Sequence, residues 1–173
     1  MTSKYLQFTK YVNKSKEILN LANKLKLNNK KYTLINITKY LKSLPYTGYK
    51  KDFFRKRKSS EILKSGFLTG CTDAALLFMS IGKTLEYPVK YIETIRKINS
   101  HEGIEGHIFV DIYFDKKWHK YDPLSGFVKD YNIYGKCKIV YKGLDFTCLK
   151  KRNRLYCLDS LKKLKIFSQK VLR

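Results

Sequence analysis

Residues 68–79 read LTGCTDAALLFM, and this stretch decides the fold because it places a cysteine directly before an apolar run. From 74 to 79 every residue is apolar, which leaves a helix here almost no solvated face. We therefore expect a central helix that begins at about Cys71 and ends between Gly82 and Leu85. Its N-terminus would hold the sulfur, where unpaired N–H groups and the helix dipole favour a nucleophilic thiolate.

Cys71 also has a simpler interpretation. Free cysteine is among the most buried residue types, so Cys71 alone could be a small apolar residue that caps a buried helix. A nucleophilic cysteine needs a base within hydrogen-bonding reach, and the base needs a group that orients it. The choice between the two interpretations therefore depends on the histidines.

A predicted β-hairpin follows the helix. Alternating patterns indicate strands over 106–114 and 118–122, and Asp115 and Lys116 can turn between them. Opposed residues in such a hairpin share a face and have a constant number sum, here 231. Asp122 should therefore lie opposite Phe109.

The hairpin register selects one of the three histidines. His107 is a diagonal neighbour of Asp122 on the same face, with about 7 to 8 Å between alpha carbons, a gap that the two side chains can close. His119 should point to the other face, and His101 lies in a polar loop. We therefore expect His107 and Asp122 to form an oriented base.

Helical patterns precede the cysteine and strand patterns follow it. Helices are predicted over 3–27, either continuous or with one break, over 33–43 with Thr33 as candidate N-cap, and over 59–64. A loop is predicted over 45–58, strands over 89–96 and 137–141, and a further helix from Asp159. This order predicts an α+β fold, with a central helix on an antiparallel sheet.

The 173 residues are enough for a single domain. Within residues 1–173 we expect three parts: a basic helical N-terminal part over 1–60, a catalytic core over 61–126, and a C-terminal extension with a basic helix over 127–173.

The net charge of +23 is concentrated in the flanks. Residues 1–60 hold 16 Lys and Arg against two acidic residues, and residues 150–173 hold nine against one. A basic surface attracts nucleic acid, acidic proteins or anionic membranes. However, only six of the 37 basic residues are Arg, and an AT-rich genome would produce the same Lys, Ile, Asn and Tyr content without selection for binding.

One basic run is the best local candidate for a polyanion patch, because two phenylalanines accompany it. The patch would comprise Lys51, Arg55, Lys56, Arg57 and Lys58. The same run could equally be an exposed loop.

The cysteine spacing gives no sign of a metal site or a disulfide framework. Cys71, Cys137, Cys148 and Cys157 are separated by 66, 11 and 9 positions. We expect reduced thiols and no metal or other cofactor. The chain also has no signal-peptide pattern and no apolar run of roughly 20 residues, so we expect a soluble, cytoplasmic protein.

Four segments between Thr38 and Gly126 resemble the transglutaminase-like superfamily of papain-like thiol enzymes. They are G-C-T-D-A-A-L-L-F at 70–78, E-Y-P-V-K at 86–90, H-I-F-V-D-I-Y at 107–113 and W-H-K-Y-D-P at 118–123. The resemblance implies a papain/transglutaminase-like core with Cys71 as nucleophile, His107 as general base and Asp122 as orienting acid. The chain departs from the family pattern at Thr69, Glu86-Tyr87 and Phe109.

The resemblance implies a cysteine acyl-transfer enzyme that forms a thioester from protein or peptide amides. We expect hydrolysis rather than cross-linking, because no second site for an amine substrate is visible. The basic flanks would favour acidic substrates. Two other functions stay open: a module that binds nucleic acid or an acidic partner with weak or no catalysis, and an adaptor whose N-terminal helix packs on a partner.

Overall fold

A computed structural model describes residues 2–98 and 103–148, and for residues 97–98, 103–105 and 148 it describes the backbone only. The helices are α1 (Lys16–Leu25), α2 (Lys30–Ser43), α3 (Ser59–Ser65) and α4 (Cys71–Thr84), and the strands are β1 (Val89–Ile98), β2 (Gly103–Phe114), β3 (Lys117–Asp122), β4 (Gly126–Phe127) and β5 (Lys138–Gly143). The predicted α+β class is confirmed. The helix predicted from Asp159 lies outside the described residues.

The strands form one antiparallel sheet in the order β4-β3-β2-β1-β5. β5 therefore lies beside β1, so that residues 138–143 complete the same sheet that carries the hairpin. None of the described helices is long and apolar enough to cross a membrane.

The helix α4 is the centre of the fold. Every residue from 72 to 83 is buried. The apolar run over 74–79 predicts this burial for the middle of the helix. The helix shares one core with side chains from one face of the sheet, namely Val89, Tyr91, Ile108, Val110, Ile112 and Tyr121. Phe78 stacks on Tyr121 with 5.0 Å between ring centroids. This packing fixes where the N-terminus of α4 meets the sheet.

The first helix starts later than the sequence pattern indicates. The helical pattern over 3–27 contains only a 3₁₀ turn at Ser3–Leu6 before α1 begins at Lys16. Ser15 caps α1 by accepting a hydrogen bond from the Ile18 N–H at 3.3 Å. The helical pattern over 3–27 is thus broken once, over 7–15, and its first part is a 3₁₀ turn instead of an α-helix. Local capping and tertiary contacts of the segment before α1 override its periodicity.

The second helix starts earlier than predicted. Asn29, not Thr33, is the N-cap of α2, since its side chain accepts from the Tyr32 N–H at 3.1 Å. The Thr33 hydroxyl instead faces backbone carbonyls. One of them, the Leu27 carbonyl, lies 3.1 Å away and can accept its hydrogen bond. Asn29 therefore begins α2, four residues before the predicted cap.

The predicted hairpin and its register are confirmed. Phe114 pairs with Lys117 and Val110 with Tyr121. Both turn residues have positive φ, 47° at Asp115 and 61° at Lys116, which is the signature of a type I′ turn. β2 begins at Gly103, earlier than the predicted start at 106, because its first residues pair with β1.

The other face of the sheet holds a smaller apolar cluster of Ile92, Phe109 and Tyr131. Tyr131 comes from the segment 128–137, which we call the tyrosine loop. Its hydroxyl donates a hydrogen bond to the buried Asp111 of β2. The tyrosine loop is thereby held against the face of the sheet from which His107 projects.

Candidate active site

Cys71 is the first residue of α4, as predicted, and its side chain is partly buried. The N-cap residue Gly70 has extended backbone with φ 171°, a conformation that any residue can adopt. A Cβ at Gly70 would meet no atom within 4 Å. The space beside the N-terminus of α4 is therefore open, and the first-turn N–H groups have no partner within the helix.

The segment before Cys71 is held in place by a buried carboxylate. Asp73 Oδ2 accepts hydrogen bonds from the Thr69 N–H at 2.8 Å and from the Thr69 hydroxyl at 2.5 Å. The same oxygen is paired with Arg57, whose guanidinium also donates to Ser65 Oγ at 2.7 Å. These bonds fix the chain on both sides of Cys71.

The structure corrects part of the predicted polyanion patch. Arg57 is only 7 % exposed and pairs with Asp73, and Arg55 pairs with Glu93. Lys51 and Lys56 are exposed, and Lys58 is half-buried. The two arginines therefore stabilise the fold instead of facing a polyanion, because each meets a carboxylate that the sequence places far away.

His107 and Asp122 lie together, as the hairpin register predicts. His107 Nε2 is 3.0 Å from Asp122 Oδ2. Asp122 is fully buried, and its Oδ1 accepts from the Leu124 N–H at 2.8 Å. The His107 side chain is 22 % exposed. The carboxylate is thus enclosed, while the imidazole still reaches the surface.

The electrostatics of this pair keep a proton on the imidazole. Burial lowers the pKa of His107, but hydrogen bonds with Asp122 and with Cys71 outweigh it and raise the pKa to about 9. Burial raises the pKa of Asp122, but His107 and the Leu124 N–H hold it below its usual value. At neutral pH the pair is an imidazolium beside a carboxylate. Cys71 contributes to the raised pKa of His107, so the start of α4 lies close to the imidazole on β2.

Two further residues from the sequence analysis, His119 and Phe109, pack against aromatic rings. His119 lies away from the pair and stacks on Phe114, with 4.0 Å between ring centroids. Phe109, one of the departures from the family pattern, packs edge-on against the His107 ring at 4.7 Å. The position therefore keeps an aromatic contact with the imidazole.

Tyr134, in the tyrosine loop, also contacts the pair. Its hydroxyl donates to Asp122 Oδ2 at 2.9 Å, and its ring lies edge-on to His107 at 4.7 Å. No sequence pattern points to Tyr134, because it lies beyond the segments that carry the resemblance and in a loop without periodicity. Only the fold brings it to the site.

Comparisons with known proteins identify the family and the fold of the chain. The family model of the transglutaminase-like superfamily matches residues 19–123, a range that contains Cys71, His107 and Asp122. No curated protein matches the chain significantly.

A similar solved structure is the crystal structure of a protein from Cytophaga hutchinsonii, provisionally named a cysteine protease. The TM-score is 0.64 at 18 % sequence identity, and the match covers 82 % of this chain. The chain spans 46 % of the length of that protein. At this identity the likeness establishes a shared fold.

Proposed function

The chain belongs to the transglutaminase-like superfamily, and from this premise we propose that it is a thiol acyl-transfer enzyme. Cys71 would be the nucleophile, His107 the general acid and base, and Asp122 the group that orients the imidazole. The observation that carries the proposal is the 3.0 Å hydrogen bond between His107 and Asp122 beside the N-terminus of α4.

In the proposed reaction the proton of the Cys71 thiol already resides on His107 before the attack, so that Cys71 reacts as a thiolate beside an imidazolium. The sulfur attacks an amide carbonyl carbon, and the backbone N–H groups at the start of α4 stabilise the developing oxyanion. The C–N bond then breaks, the leaving amine takes the proton from His107, and a thioester remains. A pKa of about 9 means that His107 carries this proton at neutral pH.

The thioester would be resolved by water rather than by an amine. His107 is partly exposed, so that water can reach the imidazole and lose a proton to it while attacking the thioester carbon. The products are then a carboxylic acid and the free thiol. We propose protein or peptide amides as acyl donors, a class that fits the name of the solved relative.

The test is to incubate the wild type and Cys71→Ala with glutamine-containing peptides and peptide amides, with and without an added primary amine. Mass spectrometry distinguishes the acid product of hydrolysis from the amine adduct of transfer. We expect acid product from the wild type only. Equal activity of Cys71→Ala would overturn the proposal, and adduct in excess of acid would overturn the preference for water.

A second candidate function, binding of an acidic partner or nucleic acid, is favoured by a groove of about 950 Å³ between the start of α2 and the β2–β3 hairpin. The groove has a single carboxylate in its lining, that of Asp115. Its lining also contains five lysines, namely Lys30, Lys31, Lys117, Lys120 and Lys129. No ion pair of these lysines occurs among the described residues. The N-terminus of α2 adds the positive end of its dipole.

Binding of a single-stranded oligonucleotide and of poly-glutamate at increasing salt tests this candidate. Lys117→Glu combined with Lys129→Glu should weaken binding and flatten its salt dependence. The matched control is Lys51→Glu with Lys56→Glu, the exposed lysines of the originally predicted patch. Equal losses in both double variants would mean that the net charge, not the groove, attracts the anion.

A further inference from the structure

We propose that Tyr134 is a positioning residue that shares the Asp122 carboxylate with His107 and thereby limits how firmly the imidazole holds its proton. The inference rests on the proposed function, since it concerns the same site. It assigns a role to a residue outside the segments that resemble the family.

The geometry places a chain of hydrogen bonds behind the imidazole. Ser125 Oγ lies 2.8 Å from Tyr134 Oη, and Tyr134 Oη donates to Asp122 Oδ2 at 2.9 Å. The same Oδ2 lies 3.0 Å from His107 Nε2. Tyr134 and His107 therefore bond to the same carboxylate oxygen, while the Leu124 N–H donates to the other oxygen, Oδ1.

Two donors on one carboxylate oxygen compete for its negative charge. A hydrogen bond to the ionised form of Asp122 stabilises that form and reduces the charge that faces the imidazolium. His107 is then held in place by Asp122 but gives up its proton more readily than it would with Asp122 alone. Burial, and to a lesser degree Asp122, raise the pKa of Tyr134, so the phenol keeps the proton that it donates.

The tyrosine loop gives Tyr134 little freedom. Tyr131 anchors the loop on Asp111 and packs against Phe109 with 5.2 Å between ring centroids. Within the loop, Asn132 accepts hydrogen bonds from the backbone N–H groups of Gly135 and Cys137, both at 2.8 Å. Tyr134 is thus positioned by the fold and not by its bond to Asp122 alone.

The test is an NMR titration of the imidazole of His107, assigned with His107→Gln, in the wild type and in Tyr134→Phe. Phenylalanine keeps the ring and removes the hydroxyl. We expect the pKa of His107 to rise by about 0.5 to 1 in Tyr134→Phe, since a hydrogen bond to a charged group is lost. Ser125→Ala should raise the pKa of His107 by a smaller amount. This variant provides the test if Tyr134→Phe does not fold.

Tyr131→Phe is the matched control. It removes a hydroxyl from the same loop, but one that bonds to Asp111 rather than Asp122. A purely structural role of the loop would shift the His107 titration equally in both variants, and this result would overturn the inference, as would an unchanged titration in Tyr134→Phe.

Alkylation of Cys71 by iodoacetamide in the same proteins separates the two proposals. If His107→Gln does not slow the alkylation, the proposed function fails. The titration of His107 reports on Tyr134 whether or not the enzyme turns over a substrate.

Discussion

Asp122 has no exposed surface, and both of its oxygens accept hydrogen bonds from within the chain. In Asp122→Asn an amide replaces the carboxylate that, in the proposed mechanism, fixes the imidazole tautomer. Turnover should fall by two or more orders of magnitude, toward the roughly 10⁴-fold loss known for such a change in a serine protease triad. Peptide-amide hydrolysis measures the loss, and circular dichroism checks that the fold persists.

His119→Ala is the control for this prediction. His119 stacks on Phe114, away from Asp122, and should leave turnover nearly unchanged. A loss as large as that of His107→Ala would exclude the assignment of His107 as the sole base.

Arg57 gives a prediction about stability. The guanidinium and Asp73 are both buried, and removing one partner of a buried pair typically costs about 3 to 5 kcal/mol. Arg57→Met should lower the free energy of unfolding by about that amount, measured by chemical denaturation. Arg57→Met combined with Asp73→Asn should cost less than the sum of the single changes.

A change below about 1 kcal/mol in Arg57→Met would instead be typical of an exposed cation. That result would support the prediction from sequence that Arg57 belongs to an exposed polyanion patch.

Residues differ in how far their roles can be read from sequence. His107 and Asp122 belong to one hairpin, so counting from the turn is enough to bring them together. Arg57 and Tyr134 act through partners on other elements, and no local pattern reports those contacts. The contact between His107 and Asp122 was therefore predictable from the sequence, whereas the groups that surround it were not.

Among the elements, the β2–β3 turn offers a direct test. Lys116 has φ 61°, in the left-handed region of the backbone. Glycine adopts this conformation freely and asparagine and aspartate tolerate it, whereas it is unfavourable for lysine. Lys116→Gly should raise the free energy of unfolding by about 0.5 to 1 kcal/mol, measured by the denaturation midpoint.

Lys117→Gly, one residue further on in β3, supplies the opposite control. Glycine in a strand interior weakens the strand, so this variant should be less stable than the wild type. If both glycine variants are destabilised, the turn is not of the type I′ form.

Elements with strong periodicity were predicted best. The apolar run of α4 and the alternation of β2 and β3 leave few choices, and their bounds follow the sequence closely. β4 has only two residues and forms because Gly126 and Phe127 pair with the end of β3. Such a strand has no period of its own, and the sequence alone could not predict it.

At the scale of the whole molecule, the half-buried His107 and the buried Lys83 make the stability of the fold depend on pH in opposite directions. His107 has its pKa raised from 6.5 to about 9, so its stabilisation is fully present below pH 6.5 and is lost as the pH rises through 9. Burial lowers the pKa of Lys83 from 10.5 to about 8, against the attraction of Asp145. The contribution of Lys83 to the free energy of unfolding is therefore fully present above pH 10.5, where the amine is neutral in both states, and it is lost as the pH falls through 8.

Lys83→Met removes the second contribution. The Lys83 Nζ donates to the Gln7 carbonyl at 2.7 Å, and the loss of this bond gives a cost that does not depend on pH. Relative to the wild type, the variant should therefore lose stability as the pH rises from 8 to 10.5, at up to about 1.4 kcal/mol per pH unit. Urea denaturation across this range measures the difference, and a constant difference would contradict a buried, easily deprotonated Lys83.

The sheet order also bears on how the chain is made. β1 has β2 on one side and β5 on the other, so one edge of β1 stays unpaired until residue 143 has been synthesised. At about 5 to 20 residues per second, a ribosome needs roughly 1.5 to 6 seconds to pass from residue 114 to residue 143. During that interval the nascent chain presents an open strand edge that neighbouring nascent chains on a polysome can pair with. Slow codons between β3 and β5 should therefore raise co-translational aggregation, whereas slow codons after β5 should not.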